Sequence, residues 1–258
     1  MKHLYLFLLL SFFSLQGKAQ ISDNPLDVLT QKLYENELLS NRFIKNFVFI
    51  KTNTFKKKSM IDMDRSLAKF DDNLSYIILH LPYDRKVKDD FLKLQNLWNI
   101  YRLKITDYDK ENYKSLILKT RKLEKYLKEL NKVILEKHPA ASANKKSINM
   151  AHLVVSNGST IDKIAAAYVL KYGLNLPDAF DRFEIDKGAL HKNLKKLGKF
   201  KPIAKDIKPL LADLKTTQES ILQLVHKEKY NPKMMHAYDN AYTKKAFKLL
   251  GIIIKTIK

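Results

Sequence analysis

Residues 60–82 read MIDMDRSLAKFDDNLSYIILHLP, and the spacing of apolar residues in this stretch decides the fold class. Large apolar side chains recur at steps of three and four residues, at Met60, Met63, Leu67, Phe70, Leu74, Ile77 and Leu81. Such spacing places these side chains on one face of an α-helix, which then packs against a core. Pro82 cannot continue a helix, so the segment predicts an amphipathic helix that ends there.

The same pattern occurs before and after this stretch. An upstream helix is indicated by Leu26, Leu29, Leu33, Phe43, Phe47 and Ile50. Two further apolar stripes run from Val87 to Tyr108 and from Leu116 to Ile134, and the second stops at His138-Pro139. Four long helices with short connections predict an up-down-up-down four-helix bundle.

The second half of the chain repeats this plan. Helical patterns cover Ser147–Tyr172, Asp178–Leu197, Pro202–Lys227 and a last segment that begins at Asn231-Pro232. This Asn-Pro pair predicts an N-cap followed by proline at the first helical position. We expect an interruption of the first of these helices at Asn157-Gly158, and a kink or restart of the third at Pro209.

The chain as a whole is expected to be all-α, because no segment alternates in the manner of a β-strand. The expected joint between the halves is Pro139–Lys146, which is rich in alanine and small polar residues. The sequence therefore predicts about eight helices in tandem up-and-down four-helix bundles. Their predicted bounds are residues 20–138 for the first and 139–258 for the second, more divergent repeat.

Residues 1–19 have the features of a cleavable signal peptide. Lys2 precedes an apolar run from Leu4 to Phe13, and Gly17-Lys18-Ala19 resembles a cleavage site. No later stretch reaches the roughly 18 consecutive apolar residues of a membrane span. We expect a soluble, exported protein, either periplasmic or secreted, with no transmembrane helix in the mature chain. Because the chain has no cysteine, disulfides, thiolate metal sites and thiol nucleophiles are excluded.

The chain is strongly basic, with a formal net charge of +21. Such a field attracts small anions, anionic lipid surfaces and acidic proteins. Only six of the 48 basic residues are arginine, and they are scattered along the sequence. The bidentate phosphate contacts of a nucleic-acid surface are therefore scarce, and no nucleic-acid partner is expected.

Several motifs resemble one sensor family. Leu39–Ile50, which reads LSNRFIKNFVFI, is similar to its first-helix signature, and Phe70–Leu74 and Trp98–Arg102 follow its later motifs in order. The signature recurs at Ile148–Ala151 and Lys163–Tyr168. The chain thus resembles the N-terminal periplasmic sensor domain of type IV pili methyl-accepting chemotaxis transducers, which is related to the sensor domains of nitrate/nitrite-responsive histidine kinases.

This resemblance implies a tandem helical sensor that binds a small ligand such as nitrate or nitrite at a helix or subunit interface. It makes Arg42 and Lys163 equivalent positions of the two copies. The positions that match the anion-gripping arginine of the nitrate sensors hold Glu37 and Gly158. Arg42 is then the first-helix residue left to offer an oxyanion a guanidinium fork.

Two ligand sites can be proposed on the first helix. Arg42 and Asn46 lie four residues apart on one face and predict an interface site. Asn36 and Ser40 continue an apolar, core-facing stripe and predict a polar pocket inside the bundle. The structural alternative is a satisfied polar layer that fixes helix register, together with a solvated arginine.

Catalytic and metal sites find no support in the sequence. The acidic pairs Asp71-Asp72 and Asp89-Asp90 diverge around a helix, and no nucleophile and base occur together. The histidines are isolated, and Met234-Met235-His236 is more typical of a helix core than of a copper site. We expect a non-enzymatic protein without a cofactor or a metal.

Two functions remain open at this point. The first is an exported, sensor-like protein that binds a small anionic ligand and lacks its own membrane transmitter. It would act as a homo-oligomer or with a membrane signalling partner in trans. The second is a basic structural or interaction protein that docks on an anionic envelope surface or on an acidic protein partner.

Overall fold

The computed structural model describes residues 25–108, 110–137, 144–200 and 204–255. These residues form nine helices and no strand, which confirms the predicted all-α class: α1 Pro25–Lys51, α2 Lys56–His80, α3 Arg85–Thr106, α4 Tyr113–Glu136, α5 Lys145–Gly173, α6 Ala179–Arg182, α7 Lys187–Leu197, α8 Ala204–His226 and α9 Pro232–Ile254. None of these helices is long and apolar enough to cross a membrane. The predicted signal peptide and residues 139–143 of the predicted joint lie outside the described residues.

Helices α2, α3 and α4 bury most of the apolar stripes that predicted them, but Met60 at the start of the first stripe is 39% exposed. Each turn between them ends in an N-cap: Asp84 accepts from the Val87 amide, and Asn112 accepts from the Ser115 amide. The stripes meet in an aromatic cluster, in which Phe70 stacks on Trp98 with ring centroids 3.9 Å apart. Trp98 is a core residue, since only 2% of it is exposed.

Helix α1 is a central helix and not a one-sided amphipathic one. From Leu29 to Ile50 every residue is buried except Gln31, Lys32 and Arg42, which are half-buried. The cause is that α2, α4 and α5 pack around it, and α9 also contacts it. Polar residues of α1 therefore lie inside the protein, where each must find a partner.

Helices α1 and α5 run in the same direction and join the two halves. Tyr34 donates to the Ile148 carbonyl at 3.4 Å. Further towards the carboxyl ends of both helices, Arg42 faces Asp162. Between these contacts, a Cβ added to Gly158 would come 2.4 Å from Leu38 Cδ2. The Leu38 side chain of α1 thus fills the space that a side chain at residue 158 would need. The interruption expected at Asn157-Gly158 was wrong, because α5 continues through it.

Other boundaries in the second half also differ from expectation. The single helix predicted over residues 178–197 is two helices, α6 and α7. Glu184 adopts a left-handed φ of 51° between them, and Asp186 then caps α7 by accepting from the Ala189 amide. Helix α8 runs through Pro209 without restarting. The N-cap predicted at Asn231 is confirmed, since its side chain accepts from the Met234 amide.

Candidate functional site

A cluster of charged side chains lies inside the protein where α1, α5 and α9 meet. We call Arg42, Lys45, Asp162, Asp239 and Asn240 the core charge cluster. The side chains of Lys45, Asp162 and Asp239 have no exposed surface, and that of Arg42 is 12% exposed. Ionised groups are rarely buried this deeply unless they are paired, so the cluster is the first candidate for function.

The cluster is organised around Asn240 and Asp239 of α9. Lys45 Nζ donates to Asp239 Oδ2 at 2.8 Å and to Asn240 Oδ1 at 3.3 Å. Arg42 Nη2 donates to the same Asn240 oxygen at 2.6 Å. Arg42 Nη1 lies 3.8 Å from Asp162 Oδ1 and 3.9 Å from Asp239 Oδ2, too far for a hydrogen bond. One amide oxygen therefore holds two cations side by side.

The two carboxyl groups of the cluster experience opposite effects. Burial, together with the nearby Asp239 carboxylate, raises the pKa of Asp162 well above its usual range. Burial also acts on Asp239, but the Lys45 ammonium and the Arg42 guanidinium outweigh it and lower the pKa of Asp239. The cluster thus contains one carboxyl group that favours a proton and one that favours ionisation.

Several buried polar atoms of this region have no hydrogen-bond partner. They are Arg42 Nη1, both Asp162 oxygens, Asp239 Oδ1, His236 Nδ1 and both amide atoms of Asn46. Each such atom costs about 1–3 kcal/mol if it stays unsatisfied. Native cores contain few of them, so their concentration around one cluster indicates a site that water, a proton or a ligand completes.

An open cleft between α2 and α9 reaches this cluster from outside. Its volume is about 460 Å³, and its lining includes Asn240 of the core charge cluster together with Asp62 and His236, which adjoin the cluster. Asp62 Oδ2 lies 3.6 Å from Arg42 Nη2. His236 stacks on Phe55 with ring centroids 5.4 Å apart and closes the cleft on the α9 side. Arg42 therefore lies directly behind the inner wall of the cleft.

The rim of the cleft is basic. Lys58, Arg65 and Lys233 line it, are exposed, and form no ion pair within the part of the chain that the structure describes. Most other cations near buried acids are paired, as Lys69 is with Glu35 at 3.3 Å. Three free cations around one opening favour an anion over a cation. No group of three or more metal-ligating side chains was found in the described residues.

Two of the predicted site residues have their own polar side-chain atoms satisfied inside the bundle, although Oδ1 of the neighbouring Asn73 has no partner. Asn36 is buried against α2, where its oxygen accepts from Asn73 Nδ2 at 2.8 Å and its nitrogen donates to the Phe70 carbonyl at 3.4 Å. Ser40 donates to the Glu37 carbonyl of its own helix at 2.7 Å. This arrangement matches the structural alternative, and these two residues contact neither the cleft nor the core charge cluster.

The other predicted residues separate into two places. Arg42 lies in the core charge cluster, and Asn46 is fully buried on the same face of α1. Lys163 instead pairs with Glu124 of α4 at 3.4 Å and borders a cavity of only about 10 Å³, room for one water molecule. Arg42 and Lys163 nevertheless share one relationship, since each reaches from the first helix of its half to the last helix of the other half.

Lys45, Asp162 and Asp239 were not among the residues predicted from the sequence. A signal for two of them was present, because Lys45 interrupts the apolar run Phe43–Ile50 and Asp162 interrupts Ile161–Leu170. A lone charge in such a run predicts a buried pair. Comparison with protein-family models, with curated proteins and with solved structures found no match to this chain.

Proposed function

We propose that this chain is an exported, non-enzymatic binding protein that takes a small oxyanion, such as nitrate or nitrite, in the cleft between α2 and α9. The observation that carries the proposal is the position of Arg42. Its guanidinium lies behind the cleft: Nη2 is 3.6 Å from Asp62 at the inner wall, and Nη1, which is 3.8 Å from the buried Asp162, has no hydrogen-bond partner. A planar oxyanion accepts well from such a donor.

The charges around the cleft support the same ligand class. Lys58, Arg65 and Lys233 stand at the rim, while Arg42 and Lys45 lie behind it. Against these five cations stand Asp62, Asp162 and Asp239. The balance stays positive even with all three acids ionised, so an entering anion is attracted. Asp62 stands between the cleft and Arg42, so its carboxylate has to turn outward when the anion reaches the guanidinium.

Titration calorimetry and thermal unfolding of the purified chain with sodium nitrate and sodium nitrite test this proposal. Arg65→Gln and Lys233→Gln should each weaken binding several-fold, since both side chains are exposed and their loss leaves the core intact. Lys122→Gln on α4 is the matched control, because it removes an exposed lysine outside the cleft. Equal binding by the rim variants and the control, or no binding by any of them, would reject the cleft.

A second candidate function, docking on an anionic membrane surface, is favoured by the outer face of α3. Leu92, Ile100 and Leu103 are 50%, 58% and 74% exposed and lie on one side of the helix. Lys93 and Lys104 flank them with side chains more than half exposed, and each also forms an ion pair, with Asp90 at 3.0 Å and with Glu111 at 3.8 Å. Apolar side chains beside lysines suit the boundary between lipid headgroups and acyl chains.

Sedimentation with vesicles separates the two candidates. Docking predicts that the chain binds phosphatidylglycerol vesicles but not phosphatidylcholine vesicles, and that binding weakens steeply between low and physiological salt. Leu103→Gln should weaken vesicle binding and leave nitrate binding unchanged. Vesicle binding that survives unchanged in this variant would argue against the α3 face.

A further inference from the structure

The core charge cluster contains two carboxyl groups in contact with each other and sealed from water. Asp162 on α5 and Asp239 on α9 are both fully buried and lie within hydrogen-bonding reach of one another. Lys45 satisfies Asp239 Oδ2. The remaining three oxygens, both of Asp162 and Oδ1 of Asp239, have no donor in the structure. The two carboxyl groups therefore lack more than one hydrogen-bond donor.

Neighbouring helices supply no further donor to Asp162. Helix α1 contributes Arg42, which stands 3.8 Å away, and Lys45, which is already bonded to Asp239. Helix α9 adds His236, and α2 adds Asp62, which faces Arg42.

The other helices that pack on α5 direct their polar groups elsewhere. Helix α7 contacts α5 through a neutral pair, in which Asn193 donates to Asn157. Glu124 of α4 is engaged by Lys163. On α6, Arg182 pairs with Asp178, and Asp181 lines a separate cleft. The chemistry available to Asp162 is thus set by Arg42, Lys45 and Asp239.

One proton corrects the shortage. Protonated at one oxygen, Asp162 becomes a donor to the Asp239 carboxylate, and fewer oxygens are then left without a partner. The same proton changes the charge behind the cleft. With both carboxyls ionised, the two acids cancel Arg42 and Lys45, whereas with one proton bound the four side chains carry a net charge of +1.

We propose that the anion binds together with one proton, which is taken up from solvent and held between Asp162 and Asp239. This inference rests on the proposed function, since it concerns the same cleft. Uptake forms one O–H bond on Asp162 and breaks no bond in the anion. Because linkage is reciprocal, an anion beside Arg42 favours the protonated pair, and the protonated pair favours the anion. The ligand class is accordingly a small monovalent anion with a proton, which is thermodynamically equivalent to the neutral conjugate acid of that anion.

The electrostatics of the two carboxyls fit a proton that resides on Asp162. Burial and the adjacent Asp239 raise the pKa of Asp162, whereas Lys45 and Arg42 keep the pKa of Asp239 low. His236 is a poorer proton acceptor, because burial and the nearby Lys45 lower its pKa. Its Nε2 also pairs with Asn240 Nδ2 at 2.9 Å.

Calorimetric titration of the full chain with sodium nitrate, at constant ionic strength between pH 5 and pH 9, tests the coupling. At each pH the titration is run in two buffers of different ionisation enthalpy, so that the difference in heat counts the protons taken up. We expect uptake of up to one proton per nitrate. The dissociation constant should rise by up to tenfold per pH unit once the pH exceeds the pKa of the pair.

Asp162→Asn separates this site from other sources of protons. The amide is neutral at every pH and similar in shape, so nitrate should still bind, without proton uptake and with a flat pH profile. The uptake measured on the unmodified chain remains decisive if this variant does not fold. Binding by the unmodified chain without uptake, or uptake that persists in Asp162→Asn, would overturn the coupling alone. Failure of nitrate and nitrite to bind at any pH would overturn the proposed function and the coupling with it.

Discussion

Lys45 and Asp239 form an ion pair with no exposed surface on either side chain, and the pair joins the central helix α1 to the last helix, α9. The Nζ–Oδ2 distance is 2.8 Å. The residues are 194 positions apart, so the contact connects the beginning and the end of the fold. Burying such a pair costs desolvation free energy. Removing one partner costs more, because the other would remain as a buried, uncompensated charge.

Lys45→Met should lower the free energy of unfolding by about 3–5 kcal/mol, since it removes one partner and leaves Asp239 buried. Urea unfolding followed by the fluorescence of Trp98, the single tryptophan, measures this loss. The second substitution Asp239→Asn should restore part of it, because the stranded charge is then removed. A double-mutant cycle with no coupling between these two positions would contradict the pairing.

An exposed pair on α4 provides the control. Lys132 and Glu136 lie 3.7 Å apart with side chains 75% and 61% exposed. Lys132→Met should change the free energy of unfolding by less than about 0.5 kcal/mol, because water screens surface pairs. A similar loss in both variants would mean that a general effect of lysine removal, and not burial, controls the result.

Gly158→Ala should destabilise the chain by about 1–3 kcal/mol, although alanine is the better helix former. A methyl group at this position would meet Leu38 Cδ2 at 2.4 Å, and Leu38 is fully buried, so α1 and α5 would have to separate or repack. Adding Leu38→Val should recover stability by making room. Gly251→Ala on α9 is the control, since the nearest atom there is 4.0 Å away, and it should stabilise by up to about 1 kcal/mol.

Helices with one solvent-exposed face could be predicted from sequence alone. In α2, α3 and α4 the apolar stripe repeats at steps of three and four, and the structure buries those stripes. Helix α1 carries a similar stripe, but its remaining positions are buried too, because α5 packs on the side expected to face water. That packing depends on Gly158, which in the sequence reads equally well as a helix breaker.

The candidate site could be predicted only in part, for a related reason. Arg42 could be selected from the sequence, but its partners come from α2, α5 and α9, and a pattern within one helix cannot specify such contacts. Lys163 was selected as the equivalent of Arg42, yet its neighbour Asp162 is the residue that faces the cluster. Side chains one residue apart on a helix diverge by about 100°. An error of one residue in aligning the two repeats therefore selects Lys163 in place of the buried Asp162.

Glu37 should make the stability of the chain fall as the pH rises from about 4.5 to about 7. Burial raises the pKa of Glu37 to about 7, and Lys128, 3.4 Å away, only partly offsets this. In that interval the folded state holds a proton that the unfolded state has lost, so stability decreases by up to about 1.4 kcal/mol per pH unit. Glu37→Gln should abolish this contribution, as urea unfolding at several pH values can measure. An unchanged slope in the variant would show that Glu37 is ionised in the fold.

Asp162 should also make the stability of the ligand-free chain fall as the pH rises, independently of Glu37. Its raised pKa means that stability is greatest below about pH 4, where the residue is protonated in both states, and declines as the pH rises towards its pKa in the fold. Asp239 contributes no slope above pH 4, because its pKa is lowered.

The expected result for Asp162→Asn is therefore a flatter stability profile, measured by urea unfolding from pH 4 to pH 9 without nitrate. In the double variant with Glu37→Gln, the two reductions in the slope of unfolding free energy against pH should add. The reason is that the two acids have different partners: Asp162 interacts with Arg42 and Lys45, and Glu37 pairs with Lys128. A profile in Asp162→Asn that parallels the unmodified chain would mean that Asp162 is already ionised in the fold. In that case Arg42 and Lys45 neutralise both acids in the ligand-free chain, and the pair can gain its proton only when an anion binds.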